Sequence, residues 1–240
     1  MQRYFLELAY EGTDFFGWQI QPNQRTVQAE IEKVFGQLYP DLKIGVVGCG
    51  RTDTGVHASQ YFLHFDADDR FSNEDLLHKL NAMLPKDIAI IEVFQVHKEM
   101  HARFDAEKRT YRYYISQNKN PFNIRTSWLK RYELNLDAMN EAAKLCMGKH
   151  DFECFSKVHT EVNNFNCEIF NCSWRFENEQ YIFEITANRF LRNMVRAMVG
   201  TFLEVGQDKI NRSRIRATIF LFNSILFSSC RTFARSECCF

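Results

Sequence analysis

Apolar residues fall into short alternating runs and helical repeats, in an order that recurs twice along the chain. Residues 4–9 predict a strand, and Gly12-Thr13-Asp14 a following turn. Residues 26–35 predict a helix, with Thr26 placed to cap it and Val27, Ile31 and Val34 on one face. Residues 44–48 and 60–65 read as strands on either side of a glycine-rich segment. Asn73 caps a predicted helix running to Leu84, where Pro85 stops it. Residues 88–94 are β-rich and predict a strand beside the first ones.

The second round begins with the alternating stretch 110–115, a half-exposed strand. A helix over 137–147, strands near 164–174 and 180–187, and a helix from about 190 to 204 follow. Both halves share a strand–helix–strand–strand–helix rhythm. No GxGxxG fingerprint is present, so the pattern predicts an α+β pair of domains, 1–105 and 106–240, rather than a dinucleotide-binding unit.

A chain of 240 residues is long enough for two modest domains and can bury roughly 70% of its unfolded surface. It needs no metal or disulfide to hold together. The 23 phenylalanines predict aromatic-rich cores. The eight cysteines form no CxxC pair, the N-terminus lacks a signal-peptide core, and no apolar run is long enough to span a bilayer. The cytosol is the default compartment.

Net charge is zero, from 30 basic and 30 acidic residues. A nucleic-acid partner then requires a local basic groove. Two clusters supply candidates: Arg103, Lys108, Arg109 and Arg112, and Arg189, Arg192 and Arg196. In the predicted helix 190–204, Phe190, Met194, Ala197, Met198 and Thr201 line the packed side. The three arginines are spaced three and four apart and so can share another. Arg196, bracketed by Val195 and Ala197, must find an anion or reach water.

The most informative segment is Gly50-Arg51-Thr52-Asp53-Thr54-Gly55-Val56-His57-Ala58. Glycines permit tight backbone paths and close approach by a ligand. Arg51 can balance the Asp53 carboxylate or clamp an anionic substrate. Such a carboxylate can act as a base or as a nucleophile, while a plain turn accounts equally for the composition.

Six ordered blocks together resemble the tRNA pseudouridine synthase A family. They are Gly12 to Gln21 with Thr26-Val27-Gln28; Gly50 to Ala58; His101-Ala102-Arg103-Phe104-Asp105-Ala106; Arg109-Thr110-Tyr111-Arg112-Tyr113; Asp151-Phe152 with Phe155; and Asn188 to Gly200, closed by Glu204-Val205-Gly206. The resemblance implies a pseudouridine synthase fold, with two α/β domains sharing a mainly antiparallel central sheet and a cleft between them. It implies an enzyme that isomerises uridine to pseudouridine in the tRNA anticodon stem-loop, at positions 38, 39 and 40. Asp53 matches the catalytic aspartate, Tyr111 the aromatic residue that packs on the base, and Arg196 its basic partner. The family needs no cofactor or metal, works as a cytosolic homodimer and has no membrane association.

Arg51, Arg103, Arg109, Arg189 and Arg192 are then candidates for holding phosphates, which positions the stem-loop without reading bases. His57 and Lys157 can touch RNA or serve a structural role. After Lys209 the sequence departs from the family pattern, with an apolar strand expected over 218–227 and residues 210–240 atypical. If that tail is foreign, the alternative is a catalytically impaired tRNA-binding protein of the same fold.

Overall fold

Strand β1 (Gln2–Tyr10) buries Tyr4, Leu6, Leu8 and Tyr10 on one face, as the two-residue period of a half-buried strand requires. The computed structural model describes residues 1–68, 71–156 and 164–210. These fall into two units, Met1–Glu107 and the residues from Lys108 onward. The first continues with α1 (Val27–Leu38), β2 (Val47–Gly48), β3 (Ala58–Ala67), α2 (Asn73–Met83) and β4 (Ile88–Val96). Its sheet is antiparallel throughout, in the order β2-β3-β1-β4. Opposite Leu8, Leu6 and Tyr4, β3 places Tyr61, Leu63 and Phe65. Val27, Ile31, Val34 and Phe35 of α1 and Leu76 and Leu80 of α2 complete that core.

Thr26 caps α1, its hydroxyl accepting the Ala29 N–H at 3.3 Å. For α2 the cap position is Ser72 rather than Asn73, and its side chain makes no capping bond. The strand expected over 44–48 shrinks to two residues. Side chains of α1 take the ladder's place: Gln28 donates to the Val46 carbonyl at 3.1 Å, and Glu32 accepts the Val46 N–H at 3.0 Å.

The second unit contains β5 (Arg109–Ser116), β6 (Trp128–Leu129), α3 (Leu136–Lys144), β7 (Gly148–Asp151), β8 (Asn166–Glu177), β9 (Gln180–Ala187) and α4 (Met194–Gly206). Its sheet runs β6-β5-β9-β8-β7, antiparallel except where β6 joins β5. Trp174 of β8 stacks on Phe183 of β9 at 4.8 Å, and Phe202 of α4 meets Phe183 at 5.4 Å. The aromatic core expected from composition is thus present in both halves.

One device recurs in both units. Asn81 of α2 bonds both the N–H and the carbonyl of Ile90 in β4, each at 2.8 Å. Asn140 of α3 does the same for Trp174 of β8, at 2.8 and 2.9 Å. Each asparagine docks its helix on a strand by satisfying a backbone pair that would otherwise be buried unpaired.

The five described cysteines are free thiols. Among the described residues, no helix is long and apolar enough to cross a membrane. Lys157, the expected strand 218–227 and the stretch 211–240 lie outside the described residues.

Candidate active site

The loop carrying Asp53 lies between β2 and β3 and rests on the segment Gly12–Trp18 through the main chain. Trp18 donates its N–H to the Thr52 carbonyl at 3.3 Å, and Gly55 donates to the Phe15 carbonyl at 3.2 Å. The Val56 N–H closes a turn onto the Asp53 carbonyl at 3.2 Å. Two glycines make this approach possible. A Cβ on Gly12 would lie 2.1 Å from the Val56 oxygen, and one on Gly17 2.3 Å from the Thr52 oxygen, with Gly17 at a φ of +83°.

Side chains reinforce the loop at both ends. The hydroxyls of Tyr10 and Thr52 share a hydrogen bond of 2.9 Å. His57 Nδ1 accepts the Gly12 N–H at 3.0 Å, with Glu11 Oε1 3.3 Å away. Accepting at Nδ1 places the neutral ring's proton on Nε2, which is buried without a hydrogen-bond partner among the described residues. The Thr13 hydroxyl donates to Glu11. His57 therefore ties the loop to the end of β1. The outcome is an exposed Asp53 and an exposed Arg51 on a loop fixed from below.

Arg103 stands elsewhere in this unit, exposed on the turn 101–105 that follows β4. His101 Nδ1 accepts the N–H groups of Arg103 and Phe104, at 3.1 and 3.3 Å. Asp105 accepts the His101 N–H at 2.7 Å.

In the second unit, Tyr111 and Arg109 project from β5. The Tyr111 ring meets Phe190 edge to face, with centroids 5.0 Å apart. Arg109 donates from its guanidinium to the Asn188 carbonyl at 2.9 Å, so its head group is tethered to the segment that carries Arg189 and Arg192. Asn188 is itself fixed to Glu168 by its own N–H and by its side-chain oxygen, at 3.1 and 2.9 Å. Arg112, on the same strand, is an ion-pair partner of Glu184 at 2.7 Å and holds that carboxyl below its ordinary range.

The helical spacing expected for the three arginines does not hold. α4 starts at Met194, preceded by Asn193 in the left-handed conformation at φ 68°. Arg189 and Arg192 therefore lie in the connection before the helix, and only Arg196 is helical. Asparagine adopts this conformation more readily than most residues, which is the signal that locates the true start. Met194, Ala197, Met198 and Thr201 face the core as expected, while Phe190 leaves it to meet Tyr111.

Sequence pattern alone assigns no role to the Gly12–Trp18 support, the Asn188 tether or the Tyr111–Phe190 contact. The glycine pair at positions 12 and 17 is the available signal for the first. Nothing in local pattern marks the other two.

The family model described as tRNA pseudouridine synthase matches residues 8–105 and 142–223. Asp53, Arg51 and Arg103 fall in the first matched segment and Arg189, Arg192 and Arg196 in the second, with Arg109 and Tyr111 between them. Part of the stretch 210–240 also lies inside the match, which ends at residue 223. A tRNA pseudouridine synthase A of Parabacteroides distasonis is 46% identical over 220 residues, spanning 91% of this chain and 87% of the relative. One from Halalkalibacterium halodurans is 42% identical over 212 residues, spanning 87% and 80%. One from Bacillus pumilus is 38% identical over 215 residues, spanning 88% and 87%.

Proposed function

The chain belongs to the tRNA pseudouridine synthase family and is an enzyme acting on tRNA; from that premise we propose that Asp53 drives the conversion of uridine to pseudouridine at positions 38, 39 and 40 of the anticodon stem-loop. The observation that carries this reading is the Asp53 loop itself, in which a rigid main chain presents an exposed carboxylate. A plain turn needs no such support. Preorganised placement of a reacting group is what catalysis requires.

The reaction breaks the N1–C1′ glycosidic bond, turns the uracil and joins C5 to C1′. The proton on C5 is lost, and N1 gains one. The target base must first leave its stack, at a cost of a few kcal/mol that is smallest in loops and at helix ends. Tyr111, backed by Phe190, offers an aromatic face for the released ring. Asp53 acts at the sugar or takes the C5 proton, and Arg196 is the basic residue that supports it in this reading. Exclusion of water at that stage keeps the sugar from being hydrolysed. Arg51, Arg103, Arg109, Arg189 and Arg192 hold phosphates of the stem-loop. The enzyme works in the cytosol as a homodimer, an assembly that light scattering at several concentrations tests.

Asp53→Ala tests the assignment directly. Tritium release from 5-labelled uridine in unmodified tRNA should fall to background, with tRNA affinity changed less than about threefold. Release at the wild-type rate would remove Asp53 from the chemistry.

A further inference from the structure

Phe104 is 76% exposed, in a turn that is otherwise tightly built. Its ring ends a chain of aromatic contacts that starts in the sheet. Phe5 of β1 stacks on His64 of β3 at 5.9 Å, His64 meets His101 at 4.6 Å, and His101 lies against Phe104 at 4.2 Å with 32° between the planes. The backbone beneath is fixed as well. His64 Nδ1 accepts the Ala102 N–H at 3.2 Å, His101 Nδ1 accepts the Arg103 and Phe104 N–H groups, and the Asp105 N–H returns to the His101 carbonyl at 3.0 Å. One face of the Phe104 ring is therefore covered by His101 and the other faces out. The Arg103 guanidinium stands 6.0 Å from the ring centroid.

We propose that Phe104, with Arg103 beside it, is a stacking platform for an unpaired nucleobase of the tRNA, on which the neighbouring phosphate meets the guanidinium. The inference rests on the enzyme's action on tRNA and not on the role of Asp53. Three features favour a base over an apolar partner surface. The residues around it in sequence are polar and exposed: Arg103, Asp105 and Glu107. A cation adjoins it, which suits a base attached to a phosphate. Its orientation is fixed in advance, so little entropy is lost when a flat partner settles on it. Any of the four bases presents a π-face, so the platform holds the RNA without reading sequence.

The test measures the affinity of unmodified tRNA for the full chain, using Phe104→Leu, Phe104→Trp and Arg103→Ala. Phe104→Leu keeps the apolar volume but loses the flat ring, and it should raise Kd and KM roughly tenfold while kcat at saturating tRNA stays within about twofold. Phe104→Trp should bind like wild type, and tRNA should quench the emission of the new, exposed indole. The native tryptophans Trp18, Trp128 and Trp174 are buried, so wild type supplies the background. Arg103→Ala should lower the slope of log K against log salt by about one, whereas Phe104→Leu leaves that slope unchanged. Wild-type affinity in Phe104→Leu, or an unquenched indole in Phe104→Trp, overturns the proposal. So does a loss of affinity that tracks a change of oligomeric state by light scattering, because the ring would then be a contact between copies. A wild-type chain that binds tRNA with the predicted Phe104 dependence but releases no tritium defeats the catalytic reading and leaves this one standing.

Discussion

Main-chain bonds seat the middle of the Asp53 loop, with side chains at its ends, whereas the segment between β9 and α4 leans more on side chains. In the first, the carbonyls of Thr52 and Phe15 and the N–H groups of Trp18 and Gly55 set the position, and Gly12 and Gly17 admit the close approach. In the second, the Asn188 side chain and the Arg109 guanidinium bind backbone groups, and one left-handed residue, Asn193, starts the helix. The difference matches the tasks assigned to them. A reacting carboxylate tolerates little displacement, and about 1 Å can cost on the order of a hundredfold in rate. Arginines that meet phosphates have long, adaptable side chains and need only a roughly placed backbone.

The sharpest way to break this contrast is Gly17→Ala. The new methyl group would sit 2.3 Å from the Thr52 carbonyl oxygen, on a residue whose φ of +83° already disfavours a side chain. Neither backbone can yield cheaply, so stability should drop by about 3 kcal/mol in urea unfolding. Turnover should fall on the order of a hundredfold, because the clash acts one residue from Asp53. A Gly17→Ala enzyme with near-native stability and rate would show that the loop does not depend on that approach.

A second test sets the main-chain loop against the histidine-held turn that carries Arg103 and Phe104. Burial, followed by the nearby charges of Arg3 and His101, lowers the pKa of His64 from its ordinary 6.5 to about 4. The neutral ring is the one that can accept the Ala102 N–H. Because the folded value lies below the unfolded one, the unfolded chain takes up the proton first as the solution is acidified. The stability due to neutral His64 is thus complete above pH 6.5 and is lost as the pH falls towards 4. Asp66, whose pKa is lowered chiefly by its hydrogen bond to Arg3, loses its contribution as the pH falls through the ordinary carboxylate range and below it. The urea midpoint of wild type should therefore decline between pH 7 and 5, and His64→Gln should flatten that decline. An identical slope in the two proteins would assign the acid sensitivity to other groups.

What the sequence revealed follows the same division. Elements governed by local period were legible: β1, α1, β3, β4, β5 and β9 lie where alternation or helical spacing put them. The Asp53 segment was legible as chemistry because its glycines, arginine and carboxylate are contiguous. Its support was not, since Gly12 and Gly17 meet Val56 and Thr52 only after the chain folds back. The start of α4 was misplaced because residues 190–193 continue the helical pattern of apolar and basic positions, and a single φ value at Asn193 overrides it. The strand over 44–48 was overextended because Gln28 and Glu32 satisfy Val46 from a helix, a long-range substitution that no local pattern encodes.

The smallest effect is expected where a side chain replaces one rung of a ladder. β8 and β9 pair up to Ile169 and Ala187, with a bulge at Phe170, and Asn188 extends the pairing by offering its Oδ1 to the Glu168 N–H at 2.9 Å. Asn188→Ala removes that acceptor but keeps the Asn188 N–H to Glu168 carbonyl bond and the carbonyl that receives Arg109. Glu168 is exposed, so water can replace the lost oxygen, and the cost should be about 1 kcal/mol or less. The freed connection should loosen Arg189 and Arg192, which raises KM for tRNA about two- to threefold and leaves kcat unchanged. A fall in kcat comparable to that of Gly17→Ala would mean that this connection also demands main-chain precision. The distinction between a rigid carboxylate loop and an adaptable arginine segment would then be lost.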